Sequence, residues 1–421
     1  MNRSFPYIKL KEVCDVNQGL QIPIEYRFTE NAPNRYFYIT VQFLKASHIN
    51  KFYVENPPIS SICKDDDILI VRTGSTGQIV TGVSGCFHNN FFKVNFNKKL
   101  IHGRYLYHCL NTKEKYKEML RRAGVTTIPD LNHFMFLDME IPIPKKERQI
   151  EIAKILDILD SKIDINNRIN AELEQMAKTI YDYWFVQFDF PMSAEHAASI
   201  GQPDLEGKPY KSSGGKMVWN RELKRDVPEG WEVKKLEEIV EIKYGKDHKD
   251  INTGLIPVYG SGGVMRYADR ALYENESILI PRKGTLSNLF YLDQPFWSVD
   301  TMFYTKMKIM KSGKYLFYTL DNMNLASLNV GTAVPSLTSE VLNKLKILLP
   351  PLDFISQFDK KLTPMFAKNT QNKTENQELT SLRDWLLPML MNGQVRVGDV
   401  KEDGMVGMAA EPVEEYKVRG K

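Results

Sequence analysis

At 421 residues the chain exceeds a typical single domain, so two or more domains with cores of their own are expected. A hydrophobic fraction of 43%, a charged fraction of 26% and a formal net charge of +4 are ordinary globular values, which permit a nucleic-acid partner without demanding one. The absence of any run of 18 apolar residues and of a signal-like apolar stretch near Met1 to Val13 argues against a membrane partner and for a cytoplasmic protein; Cys14, Cys63, Cys86 and Cys109, scattered and without a CxxC pair, argue against a disulfide framework or a zinc site.

Short β-branched and aromatic runs broken by Gly, Asn and Pro fill the first third of the chain. Tyr36 to Val41, Ile68 to Arg72 and Phe91 to Phe96 read as strands, and a short helix is expected after Gly103. This compact α+β module is assigned residues 1–147. The period then changes. From Gln149 to about Trp184, Ile152, Leu156, Leu159, Ile163, Leu173, Ala177, Ile180 and Trp184 recur at three- and four-residue steps, the mark of one long helix within a central helical region, 148–190. Residues 191–229, with Gly201-Gln202-Pro203-Asp204 and Ser212-Ser213-Gly214-Gly215, read as a connecting linker in which Met217 to Trp219 docks. A second module is assigned residues 230–350, with a buried strand at Ile278 to Pro281 and a short helix after Gly313. A second helical region follows at 351–395, where Phe358, Leu362 and Met365 lead to Leu379 and Leu386. Pro364 is expected to kink or restart that helix, and Asn392-Gly393 to stop it. Residues 396–421, rich in Glu, Lys and Gly, read as a loose tail.

The second half repeats the first. Leu10-Lys11-Glu12-Val13 with Gly19 answers Leu236-Glu237-Glu238-Ile239 with Gly245, an offset of 226 (245 − 19). Ile68-Leu69-Ile70-Val71-Arg72-Thr73-Gly74-Ser75 answers Ile278-Leu279-Ile280-Pro281-Arg282-Lys283-Gly284-Thr285 at 210 (284 − 74), as does Gly103-Arg104-Tyr105-Leu106 with Gly313-Lys314-Tyr315-Leu316. Pro129-Asp130-Leu131 matches Pro335-Ser336-Leu337, and Asn170-Ala171-Glu172-Leu173 matches Asn376-Gln377-Glu378-Leu379, both at 206 (376 − 170). Matches in constant order with small offset steps mark a tandem duplication. The fold class is α+β: two α/β modules joined by two long helices that form an antiparallel coiled coil, with a pseudo-twofold internal repeat. Asn166, Asn170, Asn372 and Asn376 interrupt the apolar stripes. Local solvation is one reading of them; the favoured one is that buried amides fix the pairing register of the coil.

No constellation here carries a reaction. Asn56-Pro57-Pro58 resembles an amino-methyltransferase motif, but Ile59 stands where a stacking ring is needed, and no strand-following glycine turn offers a methyl-donor site. Pro203-Asp204 with Glu206 and Lys208 has nuclease-like residues in a linker rather than on strands. Gly260-Ser261-Gly262-Gly263 precedes no helix, a phosphate-binding Gly-x-x-x-x-Gly-Lys-Ser/Thr is missing, and the seven histidines lack paired metal spacing. The expectation is a non-catalytic chain with no metal site.

Two similar modules on a spacer suit a ligand with two recognition points. A 36-residue helix spans roughly 50 Å, and half-sites one turn of duplex apart lie roughly 34–36 Å centre to centre. Arg72, Thr73, Ser75 and Thr76 follow one buried strand, and Arg282, Lys283 and Thr285 follow its repeat. A cation, a hydroxyl and a glycine at a strand end let backbone meet phosphate while a side chain reaches a base edge, although an ordinary turn with solvated charges fits the same residues. Lys243, Tyr244 and Lys246, Ser261, and Arg121 with Arg122 complete the candidate DNA-binding set.

At this point the chain resembles the specificity subunit of type I restriction–modification systems. Ile143-Pro144-Lys145-Lys146-Glu147-Arg148-Gln149 leading to Ile152-Ala153-Lys154-Ile155-Leu156 carries the resemblance, as do Leu349-Pro350-Pro351-Leu352, Trp184-Phe185-Val186-Gln187-Phe188-Asp189-Phe190, Gly207-Lys208-Pro209-Tyr210, Pro228-Glu229-Gly230-Trp231 and Leu382-Arg383-Asp384-Trp385-Leu386-Leu387-Pro388. The resemblance implies two target-recognition domains, each reading one half of a bipartite asymmetric site in double-stranded DNA, and a coiled coil that sets the gap. It implies two methyltransferase subunits and restriction subunits as partners, with methyl donor, ATP and magnesium belonging to them and no cofactor in this chain. Phe354-Ile355 stands where the first copy has Arg148-Gln149, a departure that bears on equivalent partner docking. The alternatives are a type II fusion-enzyme relative, opposed by the missing methyltransferase segment, and a coiled-coil scaffold with two protein-binding modules.

Overall fold

The computed structural model describes residues 5–44, 51–124, 129–329 and 335–395. Two compact units emerge: Met1–Asn166 with Thr374–Lys421, and Asn167–Lys373. Each consists of one sheet-rich module and portions of the same two long helices, Lys146–Tyr181 and Leu352–Met391.

In the first unit a four-stranded antiparallel sheet runs in the order Cys14–Gln18, Phe91–Phe96, Ile68–Val71, Ile79–Val80. The strand Ile68–Val71 is buried throughout, which is why its sequence is a continuous apolar run rather than an alternating one. A second sheet holds Arg35–Ile39 parallel to Gly85–Phe87. Tyr7–Lys9 pairs with Glu140–Pro142, so the two ends of the module close on each other just before the first long helix.

The second unit rebuilds this plan. Its four-stranded sheet follows the order Val240–Tyr244, Met302–Met307, Ser277–Pro281, Phe290–Leu292, and Ile256–Gly260 lies parallel to Trp297–Ser298. Glu232–Lys235 pairs with Lys346–Leu349 to close it. Details repeat as well. The Glu12 carboxylate accepts from Lys9 N at 2.8 Å, and Glu238 accepts from Lys235 N at 2.8 Å. Gly19 and Gly245 lie against the carbonyls of Phe87 and Val299, which an added Cβ would approach to 2.2 and 2.0 Å. Side chains are excluded at both positions by sterics alone. Short helices begin at Gly103 and Gly313, as the repeat requires.

Within each unit the long helices run antiparallel. In the first, Asp160 meets Arg383 while Asn166 meets Asn376; in the second, Asn170 meets Asn372 while Glu174 meets Asn369. Apolar contacts join helices to modules. Ile152, Leu156 and Leu159 share one core with Leu386, Leu390 and the strand residues Ile68, Ile70 and Phe92. Ala177, Tyr181 and Trp184 share the other with Phe358, Leu362 and Ile280.

The helix Leu352–Met391 continues unbroken through Pro364, so it does not restart there; the surrounding turns keep it together around the missing donor. Its end is the expected one: Asn392 and Gly393 turn back onto the carbonyls of Pro388 and Leu390, with Gly393 at φ 70. Residues 191–229 hold more structure than their composition announces. They carry the helix Ala194–Ser199 and the hairpin Met217–Asn220 with Arg225–Pro228. Phe190 stacks on Tyr210 and Trp231 at centroid distances of 4.6 and 5.3 Å, which ties the segment to the core of the second unit. The tail at 396–421 lies outside the described residues. All four cysteines are buried and unpaired with each other.

Candidate nucleic-acid interface

The first candidate loop leaves the buried strand Ile68–Val71 and turns at Gly74, whose φ of 100 places it in the left-handed region. Backbone bonds dock it onto the segment after residue 128: Leu131 N donates to Arg72 O at 3.1 Å, Thr73 bridges to Asp130, and Thr76 Oγ1 donates to Pro129 O at 2.7 Å. Thr76 is thereby buried and serves the loop's own architecture, whereas Ser75 stays half-buried. Arg72 donates to Asp130 through Nε at 2.6 Å and Nη2 at 2.8 Å, and Thr73 Oγ1 donates to the same carboxylate at 2.9 Å. These hydrogen bonds, Arg72 first, hold the Asp130 carboxyl below its ordinary range against the opposing effect of burial, and the same contact raises the pKa of the guanidinium.

The second loop has the same frame and different side chains. Leu337 N donates to Arg282 O at 2.9 Å and Lys283 bridges to Ser336, so Ser336 stands in the place of Asp130. Arg282 lies over the Tyr244 ring, 5.3 Å from its centroid, and Nη1 donates to Asp300 O at 3.3 Å. The Tyr244 hydroxyl hydrogen-bonds Ser339 Oγ at 3.0 Å. Ser261 reaches the same loop: its Oγ lies 3.2 Å from where a Cβ on Gly284 would stand, and its carbonyl accepts from Asn288 Nδ2 at 2.7 Å. Lys283 and Thr285 are exposed beside it. Tyr244, Ser261, Arg282, Lys283 and Thr285 are therefore one neighbourhood.

Other candidates fall elsewhere. Lys243 pairs with Glu241 at 2.6 Å on the exposed face of its strand. Lys246 is exposed, with its backbone fixed by Ser298 O and by the Trp297 indole. Arg121 and Arg122 end the helix Lys113–Ala123; Arg122 turns towards Glu118 at 2.9 Å and Asp138 at 3.7 Å, so its charge is compensated. The residue that sequence reasoning passed over is Asp130. Pro129-Asp130-Leu131 stood out only as a repeat marker, and the available signal was its replacement by Ser336 in the second copy.

The four asparagines chosen for register lie where the helices meet. Asn166 Nδ2 donates to Asn376 Oδ1 at 2.9 Å and to Glu375 Oε2 at 2.8 Å, and Lys162 reaches Glu375 at 3.3 Å. Asn372 Nδ2 donates to Asn170 Oδ1 at 2.9 Å. Asn166, Asn170 and Asn372 are buried, which disfavours the solvation reading for them. No group of three metal-ligating side chains occurs among the described residues, and none of their helices is long and apolar enough to cross a membrane.

Comparison with known proteins agrees with the internal repeat. The family model for the type I restriction modification DNA specificity domain matches twice, over residues 2–175 and 228–381. The MjaIX type I restriction enzyme specificity subunit of Methanocaldococcus jannaschii is 24% identical over 359 residues, covering 79% of this chain and 78% of that one. The HindI specificity subunit of Haemophilus influenzae is 24% identical over 371 residues, covering 72% and 80%. A crystal structure of a type I system S subunit from M. genitalium superposes with a TM-score of 0.58 at 17% identity, over 93% of this chain and 97% of that one, and so shares the fold. With one match on each module and the same arrangement of strands and helices, the chain belongs to the type I restriction modification DNA specificity family.

Proposed function

We propose that this chain is the DNA-reading subunit of a type I restriction–modification complex, recognising a bipartite asymmetric site with one module per half-site. The observation that carries the reading is the duplicated loop, Arg72-Thr73 and Arg282-Lys283, set at the ends of equivalent buried strands in a chain of this family. Phosphate contacts from such loops position the modules, and base-edge contacts specify the sequence. The antiparallel helices set the gap between half-sites, with their buried amides holding register.

Two methyltransferase subunits dock on the helical region, and restriction subunits complete the complex. Support comes from the first unit, where Ile150, Ile158 and Ile165 are 45%, 58% and 49% exposed along one face of the helix, beside a groove of about 580 Å³. Exposed aliphatic side chains along one groove offer apolar surface that a partner subunit can cover. Methyl transfer, ATP and magnesium belong to those partners.

Co-expression with the cognate methyltransferase in a methylation-free host, followed by modification-sensitive sequencing, tests the proposal. A new split motif with a fixed gap is expected. A soluble complex with an active methyltransferase and no motif would favour a scaffold with two protein-binding modules instead.

A further inference from the structure

We propose that Arg72 and Asp130 form a guanine reader in the first module, Asp130 being a positioning residue that presents one edge of the guanidinium to a single base, and that the second module has no counterpart. The inference rests on the reading that these loops face DNA, and deepens it. A guanidinium has two edges with paired donors. Asp130 occupies the side edge, accepting from Nε at 2.6 Å and Nη2 at 2.8 Å, and Thr73 Oγ1 locks the carboxylate at 2.9 Å. The end edge remains: Nη1 makes no hydrogen bond among the described residues, and Nη2 keeps a second proton. Two parallel N–H groups in one plane match the O6 and N7 acceptors that guanine shows in the major groove.

A phosphate offers paired oxygens too, so charge decides between them. The Asp130 carboxylate, farther from the ligand than the guanidinium, offsets part of the Arg72 charge there, which weakens attraction for a charged phosphate more than for a neutral base edge. The pair is thus suited to read rather than to grip. Both partners are partly exposed, with side chains 29% and 46% accessible, so a base can reach them. In the second module the same backbone frame carries Ser336, and Arg282 rests on Tyr244 with no carboxylate paired to it among the described residues, which leaves it suited to phosphate.

The full chain, assembled with its methyltransferase partner, would be selected against a DNA library randomised in both half-sites, comparing wild type with Arg72→Lys, Asp130→Ser and Asp130→Asn. Circular dichroism and partner assembly check folding, and Asp130→Asn, which keeps the side-chain size, stands in if Asp130→Ser does not assemble. Wild type should prefer guanine at one position of one half-site by about tenfold or more. Each variant should flatten that same position and leave the other half-site unchanged. Removing the carboxylate charge should also raise affinity for random DNA and steepen the log–log salt slope by about one unit. A uniform loss of affinity with base preferences intact would make Arg72 a phosphate contact and overturn the proposal. So would a wild-type motif that is indifferent to both residues, which leaves the DNA reading standing. No wild-type motif at all would overturn both.

Discussion

Asp157 on the first long helix accepts from Arg104 Nε at 2.8 Å and Nη2 at 2.6 Å, and His108 Nε2 lies 2.7 Å from the same oxygen. Burial opposes its charge, yet the hydrogen bonds from His108 and Arg104 outweigh it and hold the carboxyl below the usual aspartate value. A carboxyl depressed by folding stabilises the native state above its unfolded pKa, and that contribution fades as pH falls through the folded value. Wild type should therefore be more heat-stable than Asp157→Asn near neutrality, and the difference in thermal midpoint should shrink below about pH 4. In the second unit Lys314 of the module lies against Asp359 of the long helix at 2.5 Å, with side chains only 5% and 14% exposed. Lys314 also lies 5.4 Å from the Tyr291 ring centroid. Asp359→Ala removes the ion-pair partner of a buried ammonium, leaving the Glu276 carboxyl as its remaining acidic neighbour, and should cost up to about 3–5 kcal/mol. Thermal or denaturant unfolding would measure it, and Lys314→Met with Asp359→Leu should recover most of the loss.

Amides replace leucines in the paired stretches of the long helices, and the substitution has a stability cost. Asn372 is fully buried, and although its Nδ2 reaches Asn170, its Oδ1 has no partner among the described residues. An orphaned buried acceptor costs about 1–3 kcal/mol. Replacing both Asn170 and Asn372 by Leu should raise the thermal midpoint, whereas Asn170→Leu alone should lower it by leaving Asn372 wholly unpaired. If the pair specifies register, a complex of the stabilised double variant with its methyltransferase partner should methylate sites with more than one gap length. A single sharp gap in that variant would remove the register role while leaving the fold untouched.

For the whole molecule, the proposed division of labour separates bases from spacing. Seven residues added to each long helix, between Asn166 and Asn170 and between Asn372 and Asn376, keep the helix faces nearly in phase and add about 10 Å to each. That is about three base-pair steps at 3.4 Å. Methylation mapping should return both half-sites unchanged with the gap longer by about three. Altered half-site bases would show that the modules do not read independently of the helices.

Much of this architecture is periodic, and periodicity is local information. The duplication, the buried strands at Ile68 and Ile278, the helices after Gly103 and Gly313 and the stop at Asn392-Gly393 all follow from spacing and residue type. Hydrophobic periods and glycine conformations depend on a few neighbouring residues, so one chain suffices to read them. What the local pattern missed depends on distant partners. Pro364 is expected to kink or restart its helix because a missing donor is a local fact; the helix runs on through it without restarting. Residues 191–229 looked like linker because no single stretch is apolar enough to stand alone, yet Tyr210 finds Phe190 and Ala197 finds the second core. The candidate loops show the limit most clearly. That Arg72 and Arg282 occupy equivalent strand ends was legible in the sequence; that one is clasped by a carboxylate 58 positions away while the other leans on Tyr244 was decided by tertiary structure alone, since only folding brings those groups within hydrogen-bond or ring-contact distance.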